Sequence, residues 1–482
     1  MSRSLGKLTS KHIKIITIAL TSCCLITLFF WLFIDPTADL FLYNPGMDKP
    51  DKSSGLANSE NIKIGEFFER KTTITSTLTG TWTTFRGENH DNILNTTSPI
   101  NENWKSKDPK VVWSVETGEG HAAPVIYNGL VYFMDYDEEK KGDILKCVSL
   151  ETGVELWRRW YRVRVKRNHG MSRTIPAVNE NYVLCMGPRC HVMCTNRLTG
   201  DLLWGIDLEK QYNTETPLWY TGQCPLIVDN VAILAVAGKA LMIAVDCKTG
   251  KVLWETPNPK NWKMSHSSVM PMTIAGKKMY VYTAIGGTVA ISADEADKGK
   301  LLWENADWSP SVIAPSPVYI GNNKIFITGG YGAGGAILKI TETNGTFKAT
   351  LDSKFPPHNG LASEQQTPIV SSGNIYGILP KDAGANRNQF ICYKTTDLTK
   401  PLWSSGKSNR FGLGPYIKIN NKFLILDDEG NLSMIEAAEK SFKLVNQKKI
   451  FEGQDAWGPF AFADGYLLLR DSKNLYCLDL KP

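Results

Sequence analysis

The 482-residue chain lacks several features that would have placed it at once. It has no low-complexity tract and no large excess of one charge. The net charge is +6, and Arg3, Lys7, Lys11 and Lys14 supply four of those charges ahead of any folded region. The +2 that remains is no electrostatic footprint for nucleic acid, which is excluded as a partner. There is no C-x-x-C-H run, which excludes a covalently held haem as a built-in electron acceptor. The one long uncharged run, Ile15 to Ile34, has no small-residue A-x-A site of the kind at which a secretory leader is cut. It is also longer and bulkier than the apolar stretch of such a leader.

That run, IITIALTSCCLITLFFWLFI, is long enough as a helix to span the hydrocarbon core of a bilayer. Four basic residues precede it, and Asp35, Asp39 and Asp48 follow. This asymmetry places the N-terminus in the cytoplasm and the rest outside. The expectation is a single-pass protein of the inner or cell membrane. It has a basic cytoplasmic tail (1–14), a transmembrane helix or signal anchor (15–35, apolar over 15–34), a Pro- and Ser/Thr-rich linker (36–80), and a periplasmic, extracytoplasmic domain (81–482).

Within that domain, many Gly, Trp and Tyr lean toward β structure with tight turns. Self-alignment gives a unit of roughly 41–56 residues. Its ending, Asp246-x-x-Thr249-Gly250-x-x-x-Trp254, recurs at Asn196…Thr199-Gly200…Trp204 and at Ser149…Thr152-Gly153…Trp157. Looser copies end at Trp303, Phe347 and Trp403, and a degenerate one near Leu444. Each copy opens with a proline in an apolar run: Pro124, Pro176, Pro225, Pro271, Pro317, Pro368, Pro415 and Pro459, eight in all. Alternating runs such as VAILAV and LMIAVD read as strands, and the Thr-Gly pair reads as a hairpin turn. A Trp at constant offset on the outer strand is a wedge between neighbouring sheets, which gives Trp113, Trp157, Trp204, Trp254, Trp303 and Trp403 a blade-docking role. The eighth copy stops before any outer strand, whereas residues 109–118, with Trp113, form an outer strand with no blade before it. The N-terminal strand is therefore expected to complete the last blade and close the ring.

The D-x-x-T-G-K-x-x-W repeat is similar to the tryptophan-docking motif of pyrroloquinoline-quinone (PQQ) repeat propellers. Trp82-Thr-Thr-Phe85-Arg86-Gly87 resembles the W-x-x-F-R-G opening of PQQ-binding-like repeat proteins, and His169-Gly170…Arg173-Thr-Ile-Pro176 and Gly330-Tyr331-Gly332 are further matches. The resemblance covers about residues 80–482 and implies an all-β, eight-bladed β-propeller. It does not imply an activity, because the repeat serves quinoprotein alcohol dehydrogenases, the lipoprotein subunit of the outer-membrane assembly machine and many other proteins. The dehydrogenases of this family hold PQQ with Ca²⁺, a ring of two adjacent cysteines and a catalytic Asp. Here the adjacent cysteines are Cys23-Cys24, inside the apolar helix. No cofactor is therefore expected; PQQ with Ca²⁺ belongs to the alternative reading below. No catalytic residue and no metal ligand is assigned.

The cluster Cys185…Cys190-His191…Cys194 reads as a hairpin turning at Gly187-Pro188. Alternation points its members to opposite faces, against shared zinc ligation. A Cys185–Cys190 bridge across the turn is compatible with an oxidising compartment.

In a propeller, the loops leading into the innermost strands converge on a central funnel. This predicts a rim of His121, Arg173, Gln223, Ser268, Gln365, Gln366 and Trp457, with His169 beside Arg173. These residues read either as a ligand pocket or as the polar lining of a hydrated channel. A second candidate surface is the run Arg158, Arg159, Arg162, Arg164, Lys166 and Arg167, interleaved with aromatics. It reads either as a patch for an acidic partner or as a solvated strand. The leading functional reading is a monomeric, non-catalytic, membrane-anchored binding or scaffolding module for a protein or glycan partner. The alternative is a divergent PQQ-dependent oxidoreductase, and a third reading is a different enzyme that uses the funnel residues His121, His169 and Arg173.

Overall fold

Short apolar runs closed by Gly, Asn and Asp turns cannot bury both faces alone, so they stack as sheets around a ring. The computed structural model describes residues 9–33, 62–73, 75–438, 440–453 and 455–482. Met1–Met47 and Asp48–Pro482 are two separate units.

In the first unit, Ser10–Phe33 is a helix. Ser10–Leu32 is long and apolar enough to cross a membrane, with a mean hydropathy of 2.3. Its threonines hide their hydroxyls: Thr17, Thr21 and Thr27 each donate to a carbonyl four residues back, at 2.9 Å. The tail before residue 9 and the linker stretch 34–61 lie outside the described residues.

The second unit is an eight-bladed β-propeller. Blade 1 runs Val125–Tyr127, Leu130–Asp137, Gly142–Ser149, Glu155–Arg162, and later blades repeat this antiparallel meander. In blade 8 the strand Lys110–Glu116 pairs antiparallel with Asn474–Asp479, so the ring is joined by hydrogen bonds between the start and end of the domain.

Each blade carries a register shift at the same place, one step past the docking position, between its third and outer strands. It falls after Cys147↔Trp157, Cys194↔Trp204, Ala244↔Trp254 and Ala290↔Trp303, and likewise after Cys392↔Trp403 and Cys477↔Trp113. In blades 5 and 7 the docking position holds Ser353, opposite Ile337, and Asn446, opposite Met434. The spacing rule had put Phe347 there in blade 5. The hairpin of Gly334–Thr343 and Thr346–Phe355 is longer than its counterparts, and this carries Phe347 outward.

The Trp residues wedge between blades by lying on the next blade's Thr-Gly turn. An added Cβ on Gly153 would stand 2.7 Å from Trp113, on Gly200 2.8 Å from Trp157, on Gly250 2.7 Å from Trp204, and on Gly299 2.8 Å from Trp254. These glycines have φ of +70° to +81°, so only glycine meets both the turn and the ring without strain. Trp113 and Trp204 also donate their indole N–H to the carbonyls of Leu150 and Cys247, each at 2.8 Å, and Trp403 donates to Ala438 at 3.0 Å.

The stretch read as a linker up to residue 80 becomes structured earlier. Phe67–Arg70 pairs antiparallel with Trp157–Trp160 on the outer edge of blade 1. Phe67 stacks on Trp160 with ring centroids 4.2 Å apart. A four-residue strand with no repeat partner leaves little periodic signal, but its two adjacent Phe give it a surface to bury.

Candidate functional site

The chain next follows the inner edges of the blades. Thr81–Trp82 pairs with Ile126 and Tyr127 of blade 1, and Ile93–Leu94 pairs in parallel with Lys418 and Ile419 of blade 7. Between them the W-x-x-F-R-G segment is fixed from several sides. Arg86 is 5% exposed, and its guanidinium donates to the carbonyls of Thr367 (2.7 Å), Pro368 (3.0 Å), His90 (2.8 Å) and Asp91 (3.0 Å). Gly87, at φ +76°, lets the Trp82 ring approach to where a Cβ would stand, 2.9 Å away. This leaves Phe85 in the wall of the central cavity.

The cavity has a volume of ≈ 270 Å³. Seven of the expected rim residues line it: His121, His169, Arg173, Ser268, Gln365, Gln366 and Trp457. Gln223 does not. It is fully buried, donating to the Ala235 carbonyl at 2.5 Å and accepting from the Ala235 N–H at 3.4 Å, so it completes blade 3's own hydrogen bonding. The cavity also holds Trp219, His266, Tyr331, Glu364 and Lys381, which the repeat positions do not indicate because they stand on connecting loops of variable length.

Two aromatic groupings face the cavity. In one, His121 stacks on Trp457 at 5.0 Å, the Trp457 indole N–H donates to Asp428 Oδ1 at 2.8 Å, and Lys381 Nζ lies 5.5 Å from the indole centroid. Gln366 Nε2 donates to the Trp457 carbonyl at 2.9 Å. In the other, Trp219 stacks on Tyr331 at 5.7 Å and tilts against His266 at 6.2 Å. Arg173 is held by the carbonyls of Asn168 (2.6 Å), His169 (2.9 Å) and Gly170 (3.2 Å).

Burial, helped by the cationic Arg173, depresses His121 and His266 to about 3, so both imidazoles are neutral at ordinary pH. Among the described residues their Nδ1 atoms have no hydrogen-bond partner. Burial lowers Arg173 to about 10, which leaves it charged, and raises the carboxyls of Glu364 and Asp428.

The basic run does not form one face. Arg158 pairs with Glu155 through two short contacts. Arg159 is buried, donating to Gly200 (2.6 Å) and Gly65 (2.7 Å) under the Phe68 ring. Arg162 lies against Phe67, and Arg167 pairs with Glu119 at 2.5 Å. Arg164 and Lys166 are exposed. Strand alternation separates Arg159 from Arg158 and Arg162, and the strand ends at Arg162, before Arg164, Lys166 and Arg167.

The cysteine hairpin is divided in the same way. Cys185 packs in the core shared by blades 1 and 2, and Cys190 packs toward blade 3, 3.1 Å from the Thr221 hydroxyl. Neither is in a disulfide.

Ca²⁺-bound PQQ asks for six to eight oxygen ligands around the ion. Among the described residues no three of His, Cys, Asp or Glu converge in a way that could hold a metal ion. Glu364 accepts from the Lys381 N–H, and Asp428 from Trp457 and the Leu413 N–H, so the cavity's carboxylates are already engaged. The donor set does not fit that group, and no step is derived through it.

The family described as outer membrane protein assembly factor BamB matches residues 140–397, more than half of the chain. Tetrathionate hydrolase of Acidithiobacillus ferrooxidans is 25% identical over 285 residues, covering 55% of this chain and 51% of that protein. The chain thus spans about half the length of the curated relative it matches. Among solved structures, BamB from Moraxella catarrhalis superposes with a TM-score of 0.51 at 10% identity, over 77% of this chain and 99% of that one. A europium-containing methanol dehydrogenase gives 0.57 at 12% identity, over 83% and 98%. The quinohemoprotein alcohol dehydrogenase of Comamonas testosteroni gives 0.53 at 11%, over 83% and 80%. At these identities the likeness is one of fold.

Proposed function

We infer the function from one premise: the chain belongs to the PQQ-repeat propeller family described as outer membrane protein assembly factor BamB. On that premise the protein is a membrane-tethered binding module. Its propeller stands on the extracytoplasmic side, and its funnel rim receives a protein partner. One observation carries this reading: the funnel's charged groups are committed to the protein itself, Arg173 to three carbonyls and Asp428 to the Trp457 indole. The free surface that remains is aromatic, with Tyr331 60% exposed beside Trp219. Exposed aromatics over a polar rim suit recognition, and the neutral imidazoles of His121 and His266 are the groups that an acid–base reading would have to use.

The test uses the full-length protein in detergent, titrated calorimetrically with PQQ in the presence and absence of Ca²⁺, and with tetrathionate. It is followed by dye-linked alcohol oxidation and tetrathionate hydrolysis assays. The expected result is no turnover in either assay, together with site-specific cross-linking from position 331 to a membrane-associated protein that is lost in Trp219→Ala. Ca²⁺- and PQQ-dependent dye reduction would instead establish the oxidoreductase reading, and tetrathionate cleavage a hydrolase.

A further inference from the structure

Arg173 carries a charge that its surroundings orient but do not neutralise. Its bonds to the carbonyls of Asn168, His169 and Gly170 use three of the five N–H donors of a guanidinium and leave two. Among the described residues it makes no ion pair. Glu119 packs on the same turn, its carbonyl accepting from the Met171 N–H at 2.9 Å, but its carboxylate is taken by Arg167 at 2.5 Å. Arg173 lines the central cavity, and a charge withdrawn from water is costly unless it is paired.

Two other buried arginines show what a structural tie looks like in this fold. Arg86 donates to Thr367 and Pro368, 281 and 282 residues away, and Arg470 to Ala122 and Gly118, 348 and 352 residues away. Both are sealed in protein, at 5% and 1% exposed. Arg173 bonds only to its own turn, three to five residues back, and joins no distant segments. That turn is left-handed at His169 (φ +50°), a strained conformation for a residue with a Cβ, and again at Gly170 (φ +82°). It is pinned by the Met171 bond to Glu119 and by the His121 N–H, which donates to the Ser172 carbonyl at 2.7 Å. A Cβ on Gly170 would stand 2.8 Å from Gly120 Cα. Strain held in this way clusters at ligand clamps. Here it fixes a guanidinium in the cavity wall.

The rest of the wall sets the class of ligand. His121 and His266 are neutral and add no positive charge. Lys381 lies over the Trp457 ring, whose indole N–H is bound by Asp428, so that ammonium has a carboxylate beside it. A single unmatched positive charge suits a monoanion, whereas a phosphate monoester brings about −1.5 to −2. The volume of ≈ 270 Å³ lies just below the range of about 300–1,000 Å³ usual for small-molecule pockets, which suits a side chain or a small acid.

We propose that Arg173 anchors a carboxylate in the central cavity, with an apolar group of the same ligand against Trp219 and Tyr331. One source rests on the partner reading above: an acidic side chain or the C-terminus of the protein partner. A small free carboxylate carries the same chemistry.

The probe is N-acetyl-phenylalanine, with its amide as the uncharged match, titrated into the full-length protein in detergent and followed by calorimetry. The wild type is expected to bind the acid at least about tenfold more tightly than the amide, as a charge-assisted hydrogen bond implies. Arg173→Gln is expected to abolish that preference, and Arg173→Lys to keep part of it. Cross-linking from position 331 then separates the sources. A cross-link that weakens in Arg173→Gln and is competed by the acid identifies the partner's carboxylate; one that does neither identifies a free carboxylate. An acid preference with no cross-link at all keeps the site and rejects the protein partner. No preference for the acid in the wild type, or a preference that survives Arg173→Gln, overturns the proposal whatever the cross-link does.

Discussion

Arg86, on the N-terminal segment, donates to the carbonyl oxygen of Thr367 in the lead-in to blade 6, 2.7 Å away and 281 residues later in the chain. Two of its four carbonyl partners, Thr367 and Pro368, are met in a buried site, and Thr367 also accepts from the Tyr416 hydroxyl at 3.2 Å. Arg86→Ala is expected to destabilise the propeller by about 3 kcal/mol, because removing a charged donor strands buried acceptors. Arg86→Lys should recover only part of this, since an ammonium has three donors and no planar fork. The shift in denaturant midpoint measures both.

The docking glycines differ in a way that separates backbone strain from crowding. At Gly200 an alanine meets positive φ and also Phe68 and Trp157 atoms 2.7–2.8 Å from its Cβ, so a cost of about 2–4 kcal/mol is expected. At Gly345, also at positive φ, a Cβ meets nothing within 4 Å, and Gly345→Ala should cost only about 1 kcal/mol. Equal effects at the two sites, read by thermal unfolding, would refute the wedge geometry.

Closing the ring depends on Trp113. Its indole lies on Gly153 and donates to Leu150, so Trp113→Ala is expected to lose about 3–5 kcal/mol. Native-state hydrogen exchange should show the loss concentrated in Lys110–Glu116 and Asn474–Asp479, with blades 3 to 6 little changed.

Four buried groups show the two senses of the pH dependence. In the fold, burial depresses His121 and His266 to about 3 and His191 to about 4, below their usual value near 6.5. Their contribution is present above pH 6.5 and is lost as pH falls, because the unfolded chain binds protons first. Asp143 works in the opposite sense. Burial raises it to about 7, even against the hydrogen bond it accepts from Tyr161 at 2.6 Å. Its contribution is full below pH 3.8 and lost as pH rises through 7. Asp143→Asn should therefore stabilise the protein at pH 7.5, by up to about 4 kcal/mol, and leave pH 4 nearly unchanged. Urea unfolding from pH 4 to 8 checks the sign. A variant that gains stability only at low pH would show that the carboxylate is ionised in the fold.

The ring was legible from the sequence because Thr-Gly and Trp recur at constant spacing, and a constant spacing fixes equivalent positions. It failed at Phe347, where a lengthened hairpin breaks that constancy and Ser353 takes the slot. Residues just before the repeat prolines converge on the funnel because the prolines mark the innermost strands. Gln223 departs from this, since its side chain serves the backbone of its own blade. Trp219 and His266 stand on loops between blades and Tyr331 on the turn between the second and third strands of blade 5, connections that vary in length and hold no fixed repeat position. Strand alternation, which separates Cys185 from Cys190, also separates Arg159 from Arg158, so a run of like charges in sequence is not one face in the fold.

The register shift beside every docking position also bears on how this ring can change. Whatever lies beyond the shift, toward the outer hairpin, can lengthen without disturbing the wedge, as the ten-residue strands Gly334–Thr343 and Thr346–Phe355 already do. The turn at Asn344 and Gly345 is thus a natural graft point, where a peptide tag, a fluorophore or a whole added module can be inserted while the eight sheets keep their spacing.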